Sequence, residues 1–346
     1  MVNRKYSKSS SFYLKTKKNF FDSNDKMFNK VLGQNDIYIS QIKRTKCKIC
    51  LTKLDQRVDL KNHNVEYIFC SKCSHLNGIY EDTEMFIEKM YVEDDGGDYS
   101  KNYIDDNFKK RSSDIYLPKV EFLLKNISYK KPKILDVGCG GGHFVFAGLM
   151  KGCDIKGIDV SKKLIQFGNN QIFNHTKEKT RLSFKSENDM YMEVENSDSD
   201  VLSTMGVIEH LREPHKLFKA FKKSRIKHFY YSVPMFSLTA LLENVFEKVF
   251  PRHLSAGHTH LYTENSIKEM NKIIGIDSKA EWRFGTDAMD LYRNLNVTLK
   301  KNSVSDKTME FFSNGYLGII DKFQKILDEN HFCSEIHLVG VKNSEK

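Results

Sequence analysis

The sequence predicts an α/β fold that follows a small N-terminal cysteine module, and three observations lead to this prediction. From about residue 115 to the C-terminus, short apolar runs alternate with stretches of helical periodicity, as in a sheet flanked by helices. A glycine-rich turn follows the first of these apolar runs. Upstream, between residues 47 and 73, four cysteines form two closely spaced pairs.

Composition and charge narrow the class of protein. The 346 residues are 40% hydrophobic and 29% charged, enough for one large domain or two modest ones with buried cores. No apolar run approaches the roughly 18 to 20 residues that a membrane-spanning helix requires. Residues 1–46 contribute +8 of the net charge of +10, because eleven Lys and Arg face three acids there. We therefore expect a cytoplasmic protein with no membrane span and no nucleic-acid partner, although binding of RNA or lipid by the basic segment stays open.

Four segments follow one another along the chain. We expect a basic, partly disordered tail over residues 1–45, the cysteine module over 46–80, a helical connector over 81–114 and the α/β domain over 115–346. Within the domain, apolar runs predict strands at 133–137, 154–158, 182–185, 200–205, 226–233 and 335–341. Helices are predicted at 142–151, at 161–174 with Ser161 as N-cap, and at 214–223 with Pro214 in the first turn.

The cysteine module has the spacing of a metal site. Two residues separate Cys47 from Cys50, nineteen residues follow, and Cys70 and Cys73 repeat the pair. Each pair can present two thiolates from one tight turn, and both pairs together complete the tetrahedral S4 geometry that Zn²⁺ accepts. Because the protein fills all four positions, the predicted Zn²⁺ is structural and stabilises a segment too small to fold on its own core.

The glycine-rich turn and two nearby acids predict a ligand site. The sequence ILDVGCGGG (134–142) follows a strand and opens a helix, where bare backbone and the helix N-terminus can approach a ligand. Asp136 lies two residues before the first glycine, and its charge favours a ligand that lacks phosphates and has a positive end. Asp159 ends the next predicted strand, nineteen residues after Gly140, where a carboxylate can accept from both ribose hydroxyls.

These motifs resemble the class I S-adenosylmethionine (SAM)-dependent methyltransferases. The likeness covers about residues 115–341 and rests on ILDVGCGGG, on KGIDVS around Asp159, and on MGVIEHLREP (205–214) after the fourth strand. It implies a Rossmann-like seven-stranded sheet, with Asp136 near the methionine amino group, Asp159 on the ribose and Asn188 or Asp189 near the adenine. The remaining residues that the resemblance assigns to the cofactor are Gly138, Gly140, Gly142 and Met205.

A second resemblance concerns the methyl acceptor. A four-cysteine zinc module before this type of domain is similar to the zinc-containing methyltransferases of sugar and polysaccharide biosynthesis clusters. Their C-methylating members continue into a further C-terminal domain, for which this chain has no room. The resemblance therefore implies O-methylation of a sugar, nucleotide sugar or related small molecule, in glycan, capsule or natural-product biosynthesis.

Methylation of a hydroxyl requires a base, and histidine is the usual one. Two segments supply candidates: His210 follows the fourth strand, and His258 and His260 lie in a loop after the fifth strand. We favour His258, with His260 orienting the loop. Tyr99 and Tyr103 either line the acceptor pocket or pack the connector.

Two other functions and one assembly stay open. A zinc-finger RNA methyltransferase would combine the same two parts, although only ten arginines are present and no Asn-Pro-Pro-Tyr-like element follows the fourth strand. A non-catalytic SAM-binding protein would keep the same motifs. The sequence leaves a homodimer open.

Overall fold

The computed structural model describes residues 2–11, 14, 23–92 and 107–343. Within these residues the strands are β1 (Asn3–Tyr6), β2 (Leu60–Asn62), β3 (Val65–Phe69), β4 (Leu76–Gly78), β5 (Lys133–Val137), β6 (Asp154–Asp159), β7 (Leu182–Phe184), β8 (Val201–Met205), β9 (His228–Pro234), β10 (His260–Leu261), β11 (Ile276–Phe284) and β12 (Glu335–Lys342).

The helices alternate with these strands through most of the chain. They are α1 (Asn24–Ile39), α2 (Glu84–Ile87, continued by a π-helical turn over Glu88–Val92), α3 (Phe108–Arg111), α4 (Leu117–Lys125), α5 (His143–Met150), α6 (Lys162–Thr176), α7 (Glu187–Glu195), α8 (Pro214–Lys223), α9 (Leu238–Val245), α10 (Glu264–Ile274), α11 (Asp287–Lys301), α12 (Asp306–Leu317) and α13 (Ile320–Glu329). None of the helices in the described ranges is both long and apolar enough to cross a membrane.

The predicted α/β fold is confirmed. In the described residues the large sheet has eight strands in the order β1-β11-β12-β9-β8-β5-β6-β7. Strands β5 to β9 pair in parallel, whereas β12 is antiparallel to both β9 and β11. Strands β6 and β7 follow β5 on one side of the sheet, and β8 and β9 follow on its other side. The loops after β5 and β8 therefore run in opposite directions at the carboxyl edge of the sheet. That edge is where ligands bind in open α/β sheets.

Two strands of this sheet were not predicted. Charged residues interrupt the apolar pattern of β11, and a bulge between Ser278 and Ala280 shifts its alternation. β1 carries almost no apolar residue, and it forms because its backbone pairs in parallel with β11 at the sheet edge. Lys5 adds a contact there, with its Nζ 3.4 Å from the centre of the Trp282 ring.

Part of the N-terminal segment, expected to be a partly disordered tail over residues 1–45, forms regular secondary structure. Besides β1, it contains α1, in which Tyr38 is fully buried and donates a hydrogen bond from its hydroxyl to the carbonyl of Tyr80 at 2.7 Å. The Asn35 side chain accepts from the backbone of Ala256 at 2.9 Å. The sequence of α1 did not predict this packing, because most of its residues are polar and only one narrow face of the helix is buried.

A second sheet joins the cysteine module to the large domain. Its order is β10-β4-β3-β2, so the two residues of β10 complete a sheet whose other strands belong to the module. The core is also shared, because Ile49, Ile68 and Ile79 of the module pack in one cluster with Leu135 and Tyr262 of the domain. The module is therefore built into the α/β domain rather than tethered to it.

Candidate functional site

The glycine turn after β5 shapes the first part of the site. Gly138 has φ +71°, and a Cβ there would lie 2.5 Å from Cγ2 of Val207, so this position needs glycine. Gly140 has φ +51°, and a Cβ added to it would meet no atom of the described residues within 4 Å, because it faces an open cavity. Gly142 is the N-cap residue of α5 and does not line that cavity.

The cavity beside this turn has a volume of about 460 Å³. Five of the predicted cofactor residues line it, at the carboxyl ends of three neighbouring strands: Asp136 in β5, Gly138 and Gly140 in the turn after β5, Asp159 in β6 and Met205 in β8. Helix α2 lines the cavity with Ile87, and the π-helical turn that continues it does so with Glu88. The size and the converging polar groups are those of a small-molecule site.

Asp136 is an almost fully buried acid at the floor of the cavity, 2% exposed. Its Oδ1 accepts a hydrogen bond from the Ser203 hydroxyl at 2.7 Å. Burial raises the pKa of Asp136 to about 7, against the opposing effect of Ser203. A cation bound in the cavity would favour the ionised carboxylate.

Asp159 holds the glycine turn as well as facing the cavity. Its Oδ2 accepts from the backbone N–H of Gly140 and its Oδ1 from that of Ser161, both at 2.8 Å. Burial raises the pKa of Asp159, while these two N–H donors lower it. The carboxylate has lone pairs left for a ligand, so it can link that ligand to the turn.

The predicted adenine residues lie elsewhere. Asn188 and Asp189 are exposed in the first turn of α7, and neither lines the cavity. The prediction placed the wrong residues of this turn, because the helix begins at Glu187 and directs Glu187 and Met190 inwards instead. Ser186, which caps the helix, also lines the cavity.

A second pocket of about 350 Å³ adjoins the first. The two share Tyr116, Met205, Gly206 and His210. The lining of the second pocket is mainly polar and includes Lys119, Glu209, Arg252, His253, His258, Thr286, Asp290, Ser334 and Glu335. A molecule in this pocket would meet a ligand of the first cavity at the shared wall.

Several of these polar residues were missed by sequence reasoning. Nη1 of Arg252 donates a hydrogen bond to Oδ1 of Asp290 at 2.7 Å, and Nζ of Lys119 lies 3.8 Å from Oε1 of Glu335. They come from four elements far apart in the chain, so no local spacing connects them. Tyr116 carried a weak signal, as an aromatic residue shortly before the first strand of the domain. Tyr99 and Tyr103 lie outside the described residues.

The three candidate histidines are in two different environments. The rings of His210 and His258 stack with centres 5.6 Å apart at the second pocket. Burial lowers the pKa of His210 to about 4 and that of His258 well below its usual value. His260 is fully buried and lines neither pocket. A catalytic role for His260 is therefore not compatible with its position, whereas orientation of the loop is.

His260 connects the cysteine module to the pocket. Its Nδ1 lies 2.8 Å from Nε2 of His75 in the module, and its Nε2 lies 2.9 Å from the backbone carbonyl of Glu209. Its backbone pairs with Asn77 of β4. The loop is fixed again by Glu243, whose carboxylate accepts from three consecutive backbone N–H groups, at residues 252–254.

The four cysteines converge in the way the spacing predicts. Sγ of Cys47 lies 3.6 Å from Sγ of Cys73, and Sγ of Cys50 lies 3.4 Å from Sγ of Cys70. All four sulfur atoms lie within 4.8 Å of one another, and all are thiols. Sulfur ligands of tetrahedral Zn²⁺, with bonds of about 2.3 Å, lie about 3.8 Å apart. The four residues fit such an ion.

The two cysteine turns have the same backbone. The residue after each pair, Leu51 or Ser74, has positive φ, at 59° and 56°. Each of these residues donates its N–H to the carbonyl of the first cysteine of its pair, at 3.0 and 2.8 Å. The repeated turn directs both thiols of a pair to one point.

Comparisons with known proteins find a methyltransferase domain in this chain. Residues 108–277 match the family model Methyltransf_23, described as a methyltransferase domain. The chain is 24% identical over 101 residues to a ubiquinone biosynthesis O-methyltransferase of Coxiella burnetii (strain Dugway 5J108-111), covering 29% of this chain and 42% of that protein. It is 33% identical over 115 residues to the protein of that name in Pelagibacter ubique (strain HTCC1062), covering 33% and 41%. The chain thus spans about two fifths of the length of these relatives.

Solved structures were compared as well. Magnesium protoporphyrin IX methyltransferase from Synechocystis PCC 6803 with bound SAH aligns at 12% identity with a TM-score of 0.48, covering 75% of this chain and 100% of that one. Phosphoethanolamine N-methyltransferase 2 from Haemonchus contortus, in complex with SAM, aligns at 15% identity with a TM-score of 0.46, covering 78% and 62%.

Proposed function

We propose that this chain, through its class I SAM-dependent methyltransferase domain, methylates a hydroxyl of a sugar, a nucleotide sugar or a related small molecule. The polar pocket that meets the cofactor cavity at Tyr116, Met205, Gly206 and His210 is the observation that carries this proposal. An acceptor rich in hydroxyls can satisfy the charged and polar groups of this pocket, whereas an apolar acceptor would leave them without partners. The named O-methyltransferase relatives support transfer to oxygen.

The cofactor side of the reaction follows from the two acids. Asp136 lies where it can attract the positive methionine end of SAM, and Asp159 can accept from the ribose hydroxyls while it holds Gly140. Ser186, Glu187 and Met190 are then the residues nearest the adenine. A SAM molecule held by these residues would supply its methyl group at the wall that the two pockets share.

The acceptor side must position one hydroxyl and remove its proton. Transfer is a displacement in which the acceptor oxygen bonds to the methyl carbon while the bond from carbon to sulfur breaks. Positioning of the two reactants supplies much of the rate. His210 and His258 face the acceptor pocket, and His258 is our candidate base. His260 holds the loop that carries it.

We also propose a structural Zn²⁺ bound by Cys47, Cys50, Cys70 and Cys73. The short distances between the four thiols and the repeated turns support it. With four protein ligands the ion has no position for substrate. Its contribution is to hold β4, and through β4 the loop of His260.

The test of the function is methyl transfer from labelled SAM by the full zinc-loaded chain. We expect label in a methyl ether when nucleotide sugars and free sugars are screened, and reduced transfer by the Asp159→Ala variant at a SAM concentration near the wild-type Kd. Labelled RNA would establish the RNA methyltransferase instead. SAM binding without transfer to any acceptor would favour the non-catalytic protein.

A further inference from the structure

Three metal-binding side chains converge beside the shared wall of the two pockets. Glu209 and His210 belong to a 3₁₀ turn, Ile208–His210, that follows β8, and His258 comes from the loop before β10. One donor atom from each residue lies within 4.8 Å of the other two. This group is separate from the four cysteines.

Two atoms of this group lack partners among the described residues. They are Oε2 of Glu209 and Nδ1 of His258, and both atoms are buried. Glu209 is only 5% exposed and lines the second pocket. Buried polar atoms are almost always hydrogen-bonded, and a buried carboxylate oxygen without a partner is costly unless an ion or ligand meets it.

The geometry fits a cation with small adjustments. Adjacent donors of a six-coordinate cation with bonds of about 2.1 Å lie about 3 Å apart, and opposite donors lie about 4.2 Å apart. In the structure, Nε2 of His210 lies 4.0 Å from Oε1 of Glu209. The three donor atoms, all within 4.8 Å of one another, therefore lie near the distances that a cation requires.

We infer that Glu209, His210 and His258 bind a divalent cation that holds the methyl acceptor. One carboxylate and two imidazoles suit first-row cations such as Mn²⁺, Fe²⁺ or Zn²⁺ and leave several coordination positions open. An acceptor with two adjacent oxygens, such as a vicinal diol, would fill two of them. This inference rests on the proposed O-methylation and specifies its substrate class.

A cation here changes how the proton leaves. A hydroxyl bound to the cation is more acidic, so it can release its proton to a water molecule in the pocket. The oxygen then bonds to the methyl carbon of SAM, the bond from carbon to sulfur breaks, and its electron pair stays on sulfur as the thioether product. In this arrangement His258 acts as a ligand rather than as the base.

The ligands are held firmly enough for such a site. The carbonyl of Glu209 is fixed by His260, which is in turn held by His75. The segment before His258 is anchored by three hydrogen bonds to Glu243. Supporting contacts of this kind orient ligands and tune their affinity for metal.

The experiment is a titration of the full zinc-loaded chain with Mn²⁺, followed by the electron paramagnetic resonance signal of free Mn²⁺. Mn²⁺ prefers oxygen and nitrogen ligands, so it does not compete for the four thiolates. We expect one Mn²⁺ per chain, with affinity reduced at least about tenfold in His258→Ala and Glu209→Gln. His215→Ala is the matched control, because His215 lies in α8 outside the cluster. SAM calorimetry on each variant shows that it is folded.

The outcomes separate the cation site from the function. Binding of Mn²⁺ that the two cluster variants lose and His215→Ala keeps supports the site, even if no sugar is methylated, in which case the proposed function fails alone. Transfer to a vicinal diol that drops at least about 100-fold when Mn²⁺ is chelated supports the acceptor role as well. A chain that binds SAM but no Mn²⁺, or that transfers methyl groups equally well without it, overturns the inference.

Discussion

Replacing Asp136 by asparagine should stabilise the protein without SAM and weaken its binding of SAM. The change keeps the shape of the side chain and an oxygen that can accept from Ser203. It removes a carboxylate that is 2% exposed and whose pKa burial raises from 3.8 to about 7. The two effects have opposite signs because the charge is costly in the empty cavity and useful beside a cation.

The stability effect can be worked out from the pKa of Asp136. Since the folded pKa lies above the unfolded one, the unfolded chain releases this proton first, and wild-type stability falls as pH rises from about 4 to about 7. Applying about 1.4 kcal/mol to each pH unit between these pKa values gives a cost of about 4 kcal/mol at pH 8 and about 2 kcal/mol at pH 5.5. Asp136→Asn should remove this cost, so its advantage in the free energy of unfolding should halve between these pH values.

The binding effect follows from the same charge. Loss of the charge-assisted contact to the methionine end should weaken SAM binding by about 1.5 to 3 kcal/mol at pH 8. Wild-type affinity should fall as pH drops below 7, because the cation then binds only after Asp136 loses its proton. The variant should show no such dependence.

Denaturant unfolding and calorimetry with SAM, each at pH 5.5 and pH 8, measure both effects. Asp277→Asn is the control, since Asp277 is exposed in β11 and lies outside the cavity, and it should change neither quantity. A less stable Asp136→Asn variant at pH 8, or a wild-type affinity for SAM that is flat from pH 6 to pH 8, would refute the reasoning.

Three further predictions concern other parts of the site. Asp159→Ala should weaken SAM binding by about 1.5 to 3 kcal/mol in calorimetry, through loss of its ribose contact and of its bond to the glycine turn; unchanged affinity in a folded variant contradicts the assignment. Cys50→Ser should lower the zinc content from about one per chain and lower the melting temperature, whereas Cys153→Ser should keep the zinc. Elemental analysis measures the zinc content, and equal zinc in both variants contradicts the prediction. His258→Ala should lower kcat about 10²- to 10⁴-fold with unchanged SAM affinity, because both roles proposed for His258, base and cation ligand, act on the acceptor; full turnover in that variant would remove His258 from the site.

Most residues that the sequence assigns to the cofactor line one cavity, and they could be identified because their pattern is local. The glycines and Asp136 lie within one strand and turn, and Asp159 ends the next strand, so spacing along the chain reports spacing in the fold. Asn188 and Asp189 lie outside the cavity because the start of α7 decides which residues of this turn face it. A shift of one or two residues in a helix changes which side chains face inwards.

The residues of the second, acceptor-binding pocket could not be predicted from the sequence in the same way. Lys119 and Arg252 come from distant segments that meet only at the carboxyl edge of the sheet. The roles of His258 and His260 differ because His260 lies in β10, which pairs with β4 and is buried, whereas His258 lies in the preceding loop and lines the second pocket. That pairing joins His260 to Asn77, residues far apart in the chain, a contact that no local pattern indicates.

The pairing of the two-residue strand β10 with β4 couples the cysteine module to the acceptor loop, so that neither can be exchanged alone. A chimera that exchanges residues 46–80 for those of another protein would place a foreign edge strand against His260 and a foreign side chain at position 75. Such an exchange should succeed only when residues 258–262 are transferred with the module. Engineering of acceptor specificity in this chain therefore requires simultaneous changes in the cysteine module and in residues 258–262.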